Sequence, residues 1–230
     1  VSLPERRVFA DTDALVPALA DTVCAEAASA IAARGAFRLV LAGGTTPRAL
    51  YAELARRGAG DARWHIWYGD ERCLPADHPE RNSVMAEQAW LAAARIPPQN
   101  RRPIPAERGA AAAASAYAAW LEGVPDFDVV LLGLGEDGHT ASLFPGHDWG
   151  ETPGSPDVLA VDDAPKPPPE RVSLSAARLN RSECVGFVVT GAGKREALAR
   201  WMNGAALPVA AIHGKRNTAV WLDAAVWPAG

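Results

Sequence analysis

Two short stretches of this chain combine residue types that can do chemistry. The first, Leu41-Ala42-Gly43-Gly44-Thr45-Thr46-Pro47, joins an apolar run to a glycine pair, two hydroxyl residues and a proline. Gly43 and Gly44 can take backbone angles closed to other residues, which lets amide groups approach a ligand. Thr45 or Thr46 suits a helix cap, and Pro47 suits the first helical position, where no N–H is needed. Unpaired amides at a helix start, with the helix dipole behind them, favour an anion such as phosphate. A plain strand-to-helix turn would use the same residues, and no Walker-type lysine follows to imply a nucleotide triphosphate. The second stretch, Gly133-Leu134-Gly135-Glu136-Asp137-Gly138-His139, sets a carboxylate two residues from an imidazole. The carboxylate can orient the ring or share its proton, and histidine is the commonest general base near neutral pH. A polar turn carrying a surface histidine is the simpler alternative.

The second stretch also spells GxGxxG, the dinucleotide fingerprint. Its context fails: Pro145 and Gly146 arrive too soon for the long helix that the fingerprint needs, and no strand follows to end in a ribose-binding acid. NAD and FAD are therefore not expected. Of the other histidines, His65 falls in an apolar strand pattern, while His78 and His147 sit in turn-like sequence. His139 and His147 lack a metal-ligand spacing and no Cys/His cluster occurs, so no metal is expected. Ser142 is not in a GxSxG elbow, which argues against a serine hydrolase.

Alternating elements must position these stretches. Asp11 or Thr12 can cap a first helix whose stripe is Leu15, Leu19, Val23, Ala27 and Ile31, ended by Gly35. Phe37–Ala42 is too continuously apolar for a one-sided strand, which predicts burial on both faces. A helix from Pro47 to about Arg57, a strand over Trp64–Tyr68, a helix over 81–94 and an alanine-rich helix over Ala110–Leu121 follow. Phe127–Leu132 reads as the clearest buried strand, and it delivers Asp137 and His139 to the carboxyl edge of the sheet. Residues 150–170 hold Pro153, Pro156, Pro165, Pro167, Pro168 and Pro169, which predicts a surface excursion without regular structure. Extended runs are expected at Arg171–Leu174, Val185–Val189, Val209–His213 and Ala219–Leu222, with a helix from Lys194 to Met202. The alternation predicts α/β layers around a mostly parallel sheet. No repeat and no linker divide the 230 residues, so one domain is expected.

Composition narrows the function classes. A hydrophobic share of 49% with 22% charged residues is ordinary for a globular protein. The net charge of −4 argues against a nucleic-acid partner. No uninterrupted run of about 18 apolar residues occurs, so no membrane span is expected, and Val1–Ala10 lacks the apolar core of a signal peptide. Three scattered cysteines favour reduced thiols and a cytoplasmic location.

Read together, the stretches resemble the 6-phosphogluconolactonases through five ordered motifs spread over nearly the whole chain: LAGGTTPRALY (41–51), WYGDERCLPADHPERNS (67–83), LLGLGEDGHTASLFPGH (131–147), PERVSLSAARLN (169–180) and GAGKREAL (191–198). The resemblance implies a three-layer Rossmann-like α/β fold related to glucosamine-6-phosphate deaminases and ribose-5-phosphate isomerases. It implies cofactor-free hydrolysis of 6-phosphoglucono-δ-lactone in the oxidative pentose phosphate pathway. On the matching positions, His139 is the catalytic histidine, Asp137 its neighbouring acid and Arg72 the site arginine of the D-E-R motif. Gly43, Gly44, Thr45 and Thr46 match the sugar-phosphate loop, Lys194 a phosphate-holding lysine, and Arg171 is a further phosphate candidate. Asp70, Glu71 and Asn82 are expected behind these residues, orienting Arg72 or the loop. The expected partner is a small sugar-phosphate lactone, and the expected assembly a monomer or small homo-oligomer. Two alternatives stand beside this reading: a deaminase or isomerase of the same superfamily, and a non-catalytic sugar-phosphate sensor. The deaminase branch carries a glutamate five residues past the histidine, where this chain has Phe144.

Overall fold

The computed structural model describes residues 4–152 and 154–227; Pro153 of the proline-rich stretch and the residues before Pro4 lie outside this range. In chain order the elements are β1 (Glu5–Phe9), α1 (Thr12–Arg34), β2 (Phe37–Leu41), α2 (Thr45–Arg56), β3 (Trp64–Tyr68), β4 (Asp70–Arg72), α3 (Asn82–Ala86), α4 (Ala110–Leu121), β5 (Phe127–Gly133), β6 (Val158–Val161), β7 (Arg171–Leu174), α5 (Ala176–Leu179), β8 (Ser182–Val189), α6 (Arg195–Met202) and β9 (Asn217–Asp223). Six strands form one sheet in the order β1-β9-β8-β5-β2-β3, and every neighbouring pair is parallel. A small antiparallel sheet, β4-β7-β6, stands apart from it. Helices flank the parallel sheet, giving the α/β layers that the alternation predicts and the Rossmann-like architecture that the resemblance implies.

The sheet contains a reversal. From β2 the chain steps outward to β3, returns to β5 on the other side of β2, and continues through β8 and β9. Such a switch point opens a crevice beyond the carboxyl ends of the strands, where ligands of α/β sheets bind. Here it falls between β2 and β5, whose exits are the two stretches singled out by their chemistry.

Local sequence accounts for the main elements. Asp11 caps α1 by accepting the Ala14 amide at 2.8 Å, and Gly35 ends the helix with φ +75°. By length and composition α1 is apolar enough to cross a membrane. Its Leu15, Leu19, Val23 and Ala27 are instead buried in the core, so this helix spends its apolar face on the sheet. All of Phe127–Leu132 in β5 is buried, as expected of a central parallel strand.

One strand is not expected from the sequence, and three expectations need correction. Glu5–Phe9 forms edge strand β1, hidden in the sequence because its face is charged and largely exposed. The proline-rich excursion contains β6, which pairs with β7 through Val158–Val161; its prolines lie outside that four-residue run. Val209–His213 is not extended: Pro208–Ala211 is a 3-10 turn, begun by a proline whose fixed φ suits it. The helix expected over 81–94 is α3 followed by a π-helical turn at Glu87–Leu91.

Two buried tyrosines fix the strand exits. Tyr51 on α2 accepts the Ala42 amide at 2.9 Å and donates to the Ala42 carbonyl at 2.8 Å. Tyr117 on α4 does the same for Tyr68, at 2.9 and 3.2 Å. Each hydroxyl satisfies both polar groups of the residue where, or just after, its strand stops pairing. Burial pushes both phenols above their usual range, so they stay protonated.

Candidate active site

A cavity of about 330 Å³ occupies the crevice at the switch point. Gly43, Gly44, Thr45 and Thr46 form part of its lining. Gly44 precedes α2 with φ +114°, a conformation that favours glycine, and among the described residues no side chain caps the first amides of this helix. Gly43 is held at close quarters: a Cβ there would stand 2.1 Å from Asn82 Oδ1. Thr46 is turned away from capping and its hydroxyl meets that of Thr190, beyond the end of β8, at 2.7 Å. Lys194, in the 3-10 turn just before α6, lines the same cavity. Unpartnered amides, a helix start and an ammonium group thus share one space, an arrangement suited to a phosphate.

The loop leaving β5 brings His139 and Thr140 to this cavity. His139 Nδ1 lies 2.5 Å from Asp137 Oδ1, and the His139 amide donates to the same oxygen at 3.2 Å. The turn closes through Gly135 N–H to His139 O at 2.7 Å. Gly135 is required by packing, since a Cβ there would stand 2.1 Å from Nδ1 and 2.6 Å from the Asp137 oxygen. Burial pushes the His139 imidazole below its usual range, and Asp137 only partly opposes this. Burial raises Asp137, but the His139 ring, its hydrogen bonds and Lys166 outweigh that and hold the carboxyl below its usual range. Both shifts are met by a neutral imidazole donating Nδ1–H to an ionised carboxylate. Nε2 is then left with its lone pair, the state a general base requires.

The rest of the lining comes from the segment around β4. Asp70 accepts Asn82 Nδ2 at 3.0 Å on one oxygen and Ser142 Oγ at 2.6 Å on the other. This places a buried carboxylate, satisfied on both oxygens, between the β4–α3 segment and the His139 loop. Glu71 is fully buried and faces α3 rather than the cavity. It accepts the amides of Arg72, Asn82 and Ser83 at 2.8–2.9 Å and the Ser83 hydroxyl at 2.7 Å. The carboxylate therefore caps α3 from outside the helix. Arg72 lines the cavity with Nη1 on the Glu80 carbonyl at 2.7 Å and a buried Nε that has no partner among the described residues. Arg171, its cross-strand partner in the β4–β7 register, also lines the cavity. Its Nε and Nη2 are already spent on the carbonyls of Pro168, Lys166 and Pro167, at 3.0–3.1 Å.

Residues 10–221 match the family model for glucosamine-6-phosphate isomerases and 6-phosphogluconolactonases. The chain belongs to this family. It is similar to the 6-phosphogluconolactonase of Mycobacterium tuberculosis, with 39% identity over 94% of this chain and 93% of that one. Among solved structures it is similar to the 6-phosphogluconolactonase of Thermotoga maritima (25% identity, TM-score 0.87, 96% of this chain and 100% of that one). The enzyme of the same name from Trypanosoma brucei superposes with a TM-score of 0.83 at 27% identity, over 98% of both chains.

Within this family fold the structure gathers the glycine turn, Lys194, Arg72, Asp70, Asn82, Arg171 and His139 around one cavity, and holds Asp137 against His139. Glu71 stands behind them at α3, and Arg171 is placed as a clamp on the proline-rich segment as much as an anion donor. Sequence reasoning missed Thr190, which follows a strand with no motif of its own. It also missed Ser142 as the link to Asp70, and the approach of Lys166 to Asp137. Those contacts join residues 72 and 29 positions apart in the chain, and no local spacing carries them.

Proposed function

We propose that this protein is a 6-phosphogluconolactonase, hydrolysing 6-phospho-D-glucono-1,5-lactone to 6-phospho-D-gluconate in the oxidative pentose phosphate pathway. The observation that carries the reading is the shared cavity. A neutral histidine, with its carboxylate partner, faces the same space as a helix-start anion cradle and a lysine. The phosphate sits at Gly43–Thr46 and Lys194, and this remote charge orients the lactone so that binding energy is spent on alignment. His139 Nε2 takes a proton from the water that attacks the lactone carbonyl. Arg72, which lines the cavity, stabilises the oxyanion. His139 then returns the proton to the departing ring oxygen, and Asp137 holds the imidazole tautomer throughout.

Phe144 favours this chemistry over deamination. It is buried with its ring 4.9 Å from the His139 ring, so an apolar face stands where the deaminase branch carries a carboxylate. We take it to act in the cytoplasm as a monomer or small homo-oligomer; its three cysteines are free. The test generates the lactone in situ and couples its product to 6-phosphogluconate dehydrogenase. Acceleration over spontaneous ring opening is the expected result. Folded protein that gives none, yet binds 6-phosphogluconate in a calorimeter, would make it a sensor instead.

A further inference from the structure

The proline-rich segment between β6 and β7 reaches toward the Asp137–His139 pair through Lys166. Arg171 takes three consecutive carbonyls, those of Lys166, Pro167 and Pro168, with its Nε and Nη2. The Ala164 amide closes the segment onto Pro169 O at 3.0 Å. The backbone carrying Lys166 is thereby fixed, although the side chain itself is exposed. Lys166 Nζ then stands 4.0 Å from Asp137 Oδ2, while Oδ1 of the same carboxylate holds the His139 ring. The clamp touches the pair from another side as well. The Arg171 guanidinium lies over Phe144 at 5.7 Å, and Phe144 packs on His139. The chain has only three lysines: Lys194 lines the cavity, and Lys215 pairs with Asp126 elsewhere.

We propose that Lys166 is a positioning residue for the reaction: carried by the Arg171-clamped segment, its ammonium stands against the second oxygen of Asp137 and so biases the charge and orientation of the carboxylate that directs His139. This rests on the lactonase reading for its activity arm only. Asp137, Lys166 and Asp70 are the charged groups that act most on His139, and Arg72, Arg171 and Lys194 line the same cavity; His139 and Lys166 act most on Asp137. Asp137 and Asp70 favour the protonated ring and Lys166 opposes them. Removing the ammonium therefore lets His139 take a proton at higher pH. The side chain is about half exposed, so solvent screening limits the effect to a few tenths of a pH unit, roughly 0.3–0.5.

The experiment compares the full chain with Lys166→Met and Lys166→Arg. Its first arm follows the His139 ring by NMR titration of the free protein. Its second arm records kcat/KM against pH with background ring opening subtracted. In Lys166→Met, the His139 titration and the acid limb of the profile should both move up by that amount, and Lys166→Arg should restore them. The shift should also shrink as salt is raised, because the pair is screened. The substrate phosphate titrates alike for every variant, so it drops out of the difference. An unmoved titration in Lys166→Met, or an equal shift in Lys166→Arg, would overturn the proposal, even if activity fell. Because the NMR arm needs no turnover, a protein without lactonase activity would sink the functional reading and leave this coupling separately decided.

Discussion

The two loops that leave β2 and β5 at the switch point face the same cavity but are built on opposite principles. The β2 exit offers main-chain groups. Its amides carry fixed partial charges that do not titrate, and its geometry is set from behind by Tyr51 and from the side by Asn82. The β5 exit offers two side chains whose protonation is the point of the arrangement, and its backbone serves to press them together across Gly135. The difference matches their proposed tasks. A cradle for a phosphate should not change with pH, whereas a base must. Mutations should therefore separate the loops: damage at β5 falls on the chemical step, and damage at β2 falls on binding and stability.

The largest effect is expected at the β5 exit. His139→Ala removes the base while leaving the cradle and Lys194 untouched. A positioned general base contributes typically ~10²–10⁴-fold. The coupled assay should show kcat falling by that factor with KM little changed, and thermal unfolding should remain near that of the parent protein. If KM rises while kcat holds, His139 belongs to binding, and the contrast between the loops fails.

The unequal legibility of the two regions follows from their physics. The glycine turn, its helix and the Gly133–His139 loop are contiguous in sequence, so residue types and spacing predict them. β5 is equally plain because a strand buried on both faces must be a continuous apolar run. By contrast, β1 (ERRVF) and β4 (DER) carry charge and are short. They pair only because neighbours distant in sequence offer edges, β9 to one and β7 to the other. β6 was hidden among prolines for a related reason: four residues suffice once β7 supplies the ladder. The Val209–His213 run misleads because its apolar residues fit burial in a tight turn as well as in a strand. Within the site, the residues on each loop could be named from sequence. Their convergence could not, because Asp70 meets Ser142, and Thr46 meets Thr190, only through the sheet.

A middle-sized effect should come from Gly43→Ala. The new Cβ would land on the Asn82 amide, and overpacking of this kind costs about 1–3 kcal/mol. Because Asn82 is held by Asp70, the displacement pushes on the turn itself. KM should rise more than kcat falls, and the unfolding midpoint should drop. An Asn82→Ala background removes the atoms in collision, so Gly43→Ala should cost less there. Costs that simply add in the double variant would mean the two residues do not press on each other, and the side support of the cradle would be withdrawn.

The smallest effect tests the support from behind. Tyr51→Phe leaves the ring packed on Trp90 but strips the hydroxyl from both polar groups of Ala42. Ala42 is buried and adjoins the glycine pair, so its N–H and C=O lose their partner where little water reaches. Exchanging a satisfied pair for unsatisfied groups costs at least about 1 kcal/mol, read from urea unfolding. If the latch sets the cradle, the same variant raises KM modestly and leaves kcat and its pH profile alone, because the β5 exit is not attached to Tyr51. The matching substitution Tyr117→Phe is the control: it frees Tyr68 instead of Ala42, so it should lower stability in the same way without raising KM through the glycine turn. Equal KM changes from the two tyrosines would show that loosening any strand exit loosens the site. A rise confined to Tyr51→Phe would tie the anion cradle to one hydroxyl beneath it.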